Sequence, residues 1–117
     1  MKVIYISGPF TNPDPIHGIE RNINAASEYA AKCWAAGWSV ICPHKNNKDF
    51  QHLSLPYELW IEGDIELLRR CDAILMLPNW EESAGAVNEH NYAIKQKNAL
   101  GEPIKVFYAA DGIPIPV

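Results

Sequence analysis

The sequence predicts an α/β domain: a three-layer, flavodoxin-like parallel sheet of about four strands in the order 2-1-3-4, with helices on both faces. Three observations carry this. Short β-branched runs alternate with longer stretches whose apolar residues recur at helical spacing. The run Ala73-Ile74-Leu75-Met76-Leu77 is apolar throughout, as a strand covered on both faces must be. The resulting β-α-β-α-β-α-β order implies parallel strands joined by right-handed crossovers. At 117 residues the chain has room for one core, so residues 1–117 are expected to form a single domain.

Residues 3–6 are apolar and β-branched and end at Ser7-Gly8-Pro9, which reads as a strand running into a turn. Residues 9–18, dense in Pro, Asn, Asp and Gly, read as loop. From 19 to 36, Ile23, Ala26, Ala30, Cys33 and Trp34 mark one helical face, and Gly37 supplies a left-handed stop. Residues 38–42 form a second strand closed by Pro43. The polar stretch 44–54 reads as a long loop. Pro56 opens a second helix that persists to about Arg70, either unbroken or interrupted at Gly63. After the strand at 73–77 and a loop at 78–82, a third helix runs from Ser83 or Ala84 to about Asn98, ended by Gly101 and Pro103. Residues 104–108 form the fourth strand, and the Pro-rich tail 109–117 is expected to lie extended on the surface.

Ten Lys and Arg against 14 Asp and Glu leave a formal charge of −4, the wrong sign for binding a nucleic-acid polymer by counterion release. No apolar run approaches the ~20 residues that cross a bilayer, so no membrane association is expected. The opening Met1-Lys2-Val3-Ile4-Tyr5-Ile6 has neither the apolar region nor the cleavage site of a signal peptide. Cys33, Cys42 and Cys71 form no Cys-x-x-Cys pair, which points to buried thiols and a cytoplasmic setting. Only Cys42 and His44 sit close together, and nothing completes a metal site around them.

In a sheet of order 2-1-3-4 the ligand crevice opens at the carboxyl ends of strands 1 and 3. That selects two loops, residues 5–11 and 77–85. In the first, Gly8 lets the backbone approach a ligand, although Ser-Gly-Pro alone is equally an ordinary turn. Neither G-x-G-x-x-G nor a Walker lysine loop is present, which disfavours dinucleotide and triphosphate chemistry. The second loop feeds a helix N-terminus whose free N–H groups suit an anion. Ser83 there is an N-cap by default, and Trp80 could stack on a base or simply pack. Glu89, about one turn beyond Gly85, is by itself an ordinary helix glutamate. Asp72 reads as a cap or turn residue, and Asp64 faces either the cleft or water.

Three segments in order, Tyr5-Ile6-Ser7-Gly8-Pro9, then Asp64-Ile65-Glu66-Leu67-Leu68 with Cys71-Asp72-Ala73-Ile74-Leu75, then Ser83-Ala84-Gly85-Ala86-Val87-Asn88-Glu89, resemble the nucleoside 2-deoxyribosyltransferase superfamily. The superfamily includes the 2′-deoxynucleoside 5′-monophosphate N-glycosidases. The segment from Leu77 to Ala86 looks like that of its small, phage-type branch, and the similarity spans about residues 3–108. The resemblance implies an enzyme that cleaves or transfers the N-glycosidic bond of 2′-deoxynucleosides, or of their 5′-monophosphates, through a covalent deoxyribosyl-glutamate. It implies Glu89 as nucleophile, Asp64 as the active-site aspartate, Tyr5 as the phenol that orients the glutamate, and Ser83 as the phosphate-contacting serine. Substrate contacts are then expected from Ser7, Gly8, Pro9, Phe10, Trp80, Ser83 and Gly85. No metal or organic cofactor is implied, and a homodimer or larger assembly is.

The sequence departs from the family in two places. His90-Asn91 follow the glutamate where Leu-Gly is common, and Ser-Gly-Pro-Phe-Thr-Asn replaces a Gly-Ser-Ile-Arg-Gly-Gly loop, with no arginine for phosphate. A nucleotide-binding or sequestering protein without turnover is the alternative reading, and an interaction subunit a third.

Overall fold

The computed structural model describes residues 1–11, 14, 16–50 and 52–117. Part of the loop expected over 9–18, at Asn12, Pro13 and Pro15, and Gln51 of the stretch 44–54 lie outside the described residues. Four parallel strands, β1 (Val3–Ser7), β2 (Ser39–Ile41), β3 (Ala73–Met76) and β4 (Lys105–Tyr108), form one sheet in the order β2-β1-β3-β4. This is the expected topology, and β1 and β3 occupy its centre.

The period-two alternation of a strand divides the core into two layers. Ile4 and Ile6 of β1, with Ala73 and Leu75 of β3, face α1 (Gly18–Ala35), where Ala26, Ala30 and Cys33 meet them. Tyr5 of β1, with Ile74 and Met76 of β3, faces the other layer, built from Leu68 of α3 (Tyr57–Leu68) and Ala86 and Ala93 of α4 (Ala84–Lys95). The helix stop at Gly37 has the left-handed φ of +105° that its position requires, and Trp38 N–H closes the turn on the Cys33 carbonyl at 3.1 Å. Asp72 is a cap, though of a strand: its carboxylate accepts from the Val3 N–H at 2.8 Å, at the start of β1.

Four expectations change, and the alternative left open at Gly63 is decided. Trp34 is 54% exposed and belongs to the outer face of α1. The stretch read as a long loop holds α2 (Pro43–Asn47) and a 3-10 turn over Lys48–Phe50. Pro43 starts that helix with its preset φ, and its polar composition reflects a short element that buries only Pro43 and His44. Helix α3 runs through Gly63 unbroken, because one internal glycine costs only about 1 kcal/mol against the packing of a whole helix. Helix α4 ends at Lys95; Lys97 bridges to Pro103, and Asn98 is buried with its amide on the Cys71 carbonyl at 3.2 Å. The tail is pinned: after a 3-10 turn over Ala109–Asp111, Ile113 packs on the α1-side core, and the Trp38 indole N–H donates to the Pro114 carbonyl at 2.8 Å.

All three cysteines are free, with Cys33 and Cys71 buried and Cys42 partly so. Burial pushes the Cys33 thiol up to about 11 and the Cys71 thiol up to about 12, so both are inert at neutral pH. Among the described residues no helix is long and apolar enough to cross a membrane. Nor, among them, does any group of three or more His, Cys, Asp or Glu come together to hold a metal ion.

Candidate active site

Two residues apart on β1, Tyr5 and Ser7 point to the same face of the sheet, the face covered by α4. Both hydroxyls end on Glu89 of α4. Tyr5 Oη donates to Glu89 Oε2 at 2.5 Å, and Ser7 Oγ donates to Oε1 at 2.6 Å, so each carboxylate oxygen has its own donor. Tyr5 has no exposed surface and Ser7 only 1%. The clamp is thus set by the buried centre of the sheet rather than by a loop.

Glu89 lines a cavity of about 410 Å³ at the carboxyl ends of β1 and β3, where the strand order reverses. Its wall comes from four directions. Gly8, Phe10 and Thr11 continue β1; Ser83, Ala84, Gly85 and Asn88 belong to the start of α4; and Tyr57, Trp60, Ile61 and Asp64 come from α3. These last four recur at i, i+3, i+4 and i+7, one stripe of a helix, which is how Asp64 reaches the site from the middle of an unbroken α3. Pro43, His44 and Asn47 of α2 close the remaining side.

The two carboxylates are both held back from ionising. Burial pushes Glu89 up to about 7; the hydrogen bonds from Ser7 and Tyr5 pull the other way, and the Asp64 charge adds a further rise. Burial also raises Asp64, partly offset by a hydrogen bond from the Asn47 amide. Because the Asp64 charge acts on Glu89, the two acids titrate as a pair. Tyr5 is raised well above the usual phenol range, first by burial and then by Glu89, and stays a donor. His44 is lowered by burial, against the pull of the Pro9 and Gly8 carbonyls. Its Nε2–H donates to the Pro9 carbonyl at 2.8 Å, and its buried Nδ1 has no partner among the described residues.

Gly8 is dictated by close approach, since a Cβ there would lie 2.8 Å from Leu77 Cβ. At the start of α4 the Ser83 side chain accepts from the Ala86 N–H at 3.2 Å as an N-cap and also borders the cavity. Of the residues expected to touch substrate, Gly8, Phe10, Ser83 and Gly85 line the cavity, and Ser7, Pro9 and Trp80 do not. Ser7 spends its hydroxyl on Glu89, and Pro9 turns its carbonyl to His44. Trp80 lies in a 3-10 turn (Trp80–Glu82), with its ring stacked on His90 at 4.2 Å and tilted against Tyr108 at 6.1 Å. His90 completes that cluster through Tyr108 Oη at 2.8 Å, so its unusual identity serves packing outside the cavity. Sequence reasoning missed His44 and Asn47, hidden in an assumed loop, and the α3 stripe Tyr57, Trp60 and Ile61, whose helical spacing with Asp64 was the available signal.

No protein of curated function matches the sequence. Among solved structures, the 2-deoxyribosyltransferase of the psychrotolerant bacterium Bacillus psychrosaccharolyticus, a biocatalyst for nucleoside synthesis, superposes with a TM-score of 0.54. The identity is 19%, over 92% of this chain and 72% of that one, a likeness of fold. Residues 2–101 match the family model described as a domain of unknown function, DUF4406. That match spans β1 through α4 and takes in every residue lining the cavity, and the chain belongs to the DUF4406 family.

Proposed function

We propose that this protein cleaves or transfers the N-glycosidic bond of 2′-deoxynucleosides through a covalent deoxyribosyl-Glu89 intermediate. One observation carries the reading: a single carboxylate, gripped at both oxygens by hydroxyls from the central strand, opens on a sugar-sized cavity that a second carboxylate shares. Breaking a glycosidic bond passes through an oxocarbenium-like state, which a close carboxylate stabilises and can trap. Glu89 attacks C1′ as the C1′–N bond breaks and its electron pair leaves with the base. Protonated Asp64 gives its proton to the departing base nitrogen. A second base, or water, then takes the sugar from Glu89, giving transfer or hydrolysis. The fold likeness to a 2-deoxyribosyltransferase supports the same chemistry.

The aromatic and apolar members of the α3 stripe, Tyr57, Trp60 and Ile61, suit the flat face of a base. The superfamily resemblance also implies a homodimer or larger assembly. Exposed Phe50, Leu53, Leu55, Tyr57 and Leu59, clustered in sequence beside the cavity, would supply its contact, which sedimentation equilibrium reads directly.

The test is incubation with 2′-deoxynucleosides, with and without an acceptor base, following free and exchanged base by chromatography. Release or exchange that vanishes in Glu89→Ala supports the proposal. Thermal stabilisation by nucleosides with no base released would make the protein a binder instead.

A further inference from the structure

We infer that the cavity accepts the unphosphorylated nucleoside and rejects the corresponding 5′-monophosphate. The nucleoside part of this ligand rests on the glycosyl reading above; the discrimination by charge rests on the cavity wall itself.

Among the described residues, the wall carries two acids, Glu89 and Asp64, and no Lys or Arg. Its one basic side chain, His44, is buried, is driven toward the neutral form, and has already committed its Nε2–H to the Pro9 carbonyl. A phosphate monoester brings between one and two negative charges at neutral pH and only acceptor oxygens. In a partly desolvated hollow that charge meets carboxylates with no compensating cation. Lys45 and Lys48 adjoin wall residues in sequence but do not line the cavity, and Arg21 is paired with Asp14 at 2.7 Å.

At the start of α4 two backbone donors are already taken. The Ala86 N–H is held by the Ser83 hydroxyl at 3.2 Å, and the Val87 N–H by the Ser83 carbonyl at 2.9 Å. The hydroxyls of a nucleoside, by contrast, are donors, and the wall is rich in acceptors: Asp64, Glu89, Asn47 and Asn88. A neutral sugar matches that wall in both charge and hydrogen-bond sense.

The experiment compares each 2′-deoxynucleoside with its own 5′-monophosphate on the full chain, by calorimetric binding and by base release. The expected result is at least tenfold tighter binding of the nucleoside, and a kcat/KM advantage of the same order wherever base is released. Asp64→Asn, read by binding alone, should narrow the ratio by removing one repelling charge. Thr11→Arg, which adds a cation to the wall at an exposed position, should narrow it by tightening the monophosphate. Monophosphates binding as tightly as nucleosides, or tighter, would overturn the inference, and so would nucleosides that do not bind. Selective nucleoside binding without base release would uphold it while ending the glycosyl reading. Base release favouring monophosphates would do the reverse.

Discussion

The phenol of Tyr5 lies 2.5 Å from Glu89 Oε2, joining residues 84 positions apart in sequence and linking the central strand to α4. The bond favours the ionised carboxylate, so it opposes the burial that lifts Glu89 to about 7. In Tyr5→Phe the Glu89 proton is held more tightly. At neutral pH turnover should fall at least tenfold, and the alkaline limb of the activity profile should move to higher pH. Loss of the buried hydroxyl should also cost about 1 kcal/mol of stability. Base-release rates across pH 5–9 check the first two outcomes, and urea melts the third.

The pair of acids sets the shape of that profile. On the proposed reaction the productive state has one proton, with Glu89 ionised and Asp64 protonated, so kcat/KM should be bell-shaped with both limbs set by the titration of the pair. Asp64→Asn removes both the proton carrier and the neighbouring charge. Its profile should become a single ascending limb, centred below the wild-type alkaline limb and reaching a much lower plateau. An unchanged bell in that variant would remove Asp64 from the proton path.

Stability carries the same signature with a definite sign. Glu89 holds its proton more tightly folded than unfolded, so its contribution is present below the ordinary glutamate range and is lost as pH rises through about 7. A shift of this size is worth about 1–3 kcal/mol at a site open to a cavity. Glu89→Gln, which has no charge to bury, should match wild type near pH 5 and exceed it by that margin at pH 8. It should show no base release at either pH. Thermal melts of the two proteins at both pH values decide it.

The sheet order and the reversal point beside β1 were legible because they follow from the alternation of elements and the handedness of their crossovers, which depend on pattern alone. Tyr5, Asp64 and Glu89 were legible through their resemblance to a family. Composition could place none of them, since a helix glutamate looks the same whether it faces water or a cleft. The α2 side of the cavity stayed hidden because a five-residue helix rich in Asn and Lys has no apolar period to read. Trp80 stayed open for a related reason. An indole near a crevice can stack on a ligand or on a neighbour, and here His90 and Tyr108 had already taken its face.

Gly8 tests the packing between the first loop and β3. A methyl group at this position would sit 2.8 Å from Leu77 Cβ and 3.0 Å from its Cδ1, and Leu77 is buried with nowhere to yield. Gly8→Ala should therefore push the first loop away from β3, costing about 1–3 kcal/mol. It should also displace Phe10 from the cavity wall. Denaturant melts measure the first effect, and a raised KM with a smaller change in kcat the second.

Two helical glycines separate stability from binding. A Cβ at Gly63 meets nothing within 4 Å, and one at Gly85 meets only the Ser83 hydroxyl, at 4.0 Å. Alanine at either site is free of clashes, and each replacement removes backbone entropy from the unfolded chain, so each should stabilise by roughly 0.5–1 kcal/mol. Their surroundings differ in one respect: Gly85 lines the cavity one turn before Glu89, and Gly63 does not line it. Gly63→Ala should keep wild-type kinetics, whereas Gly85→Ala, equally stable, should raise the KM for nucleosides several-fold by narrowing the space above the carboxylate. Equal kinetics in the two variants would mean that the ligand does not approach the first turn of α4, and the nucleophilic role of Glu89 would fall with that approach.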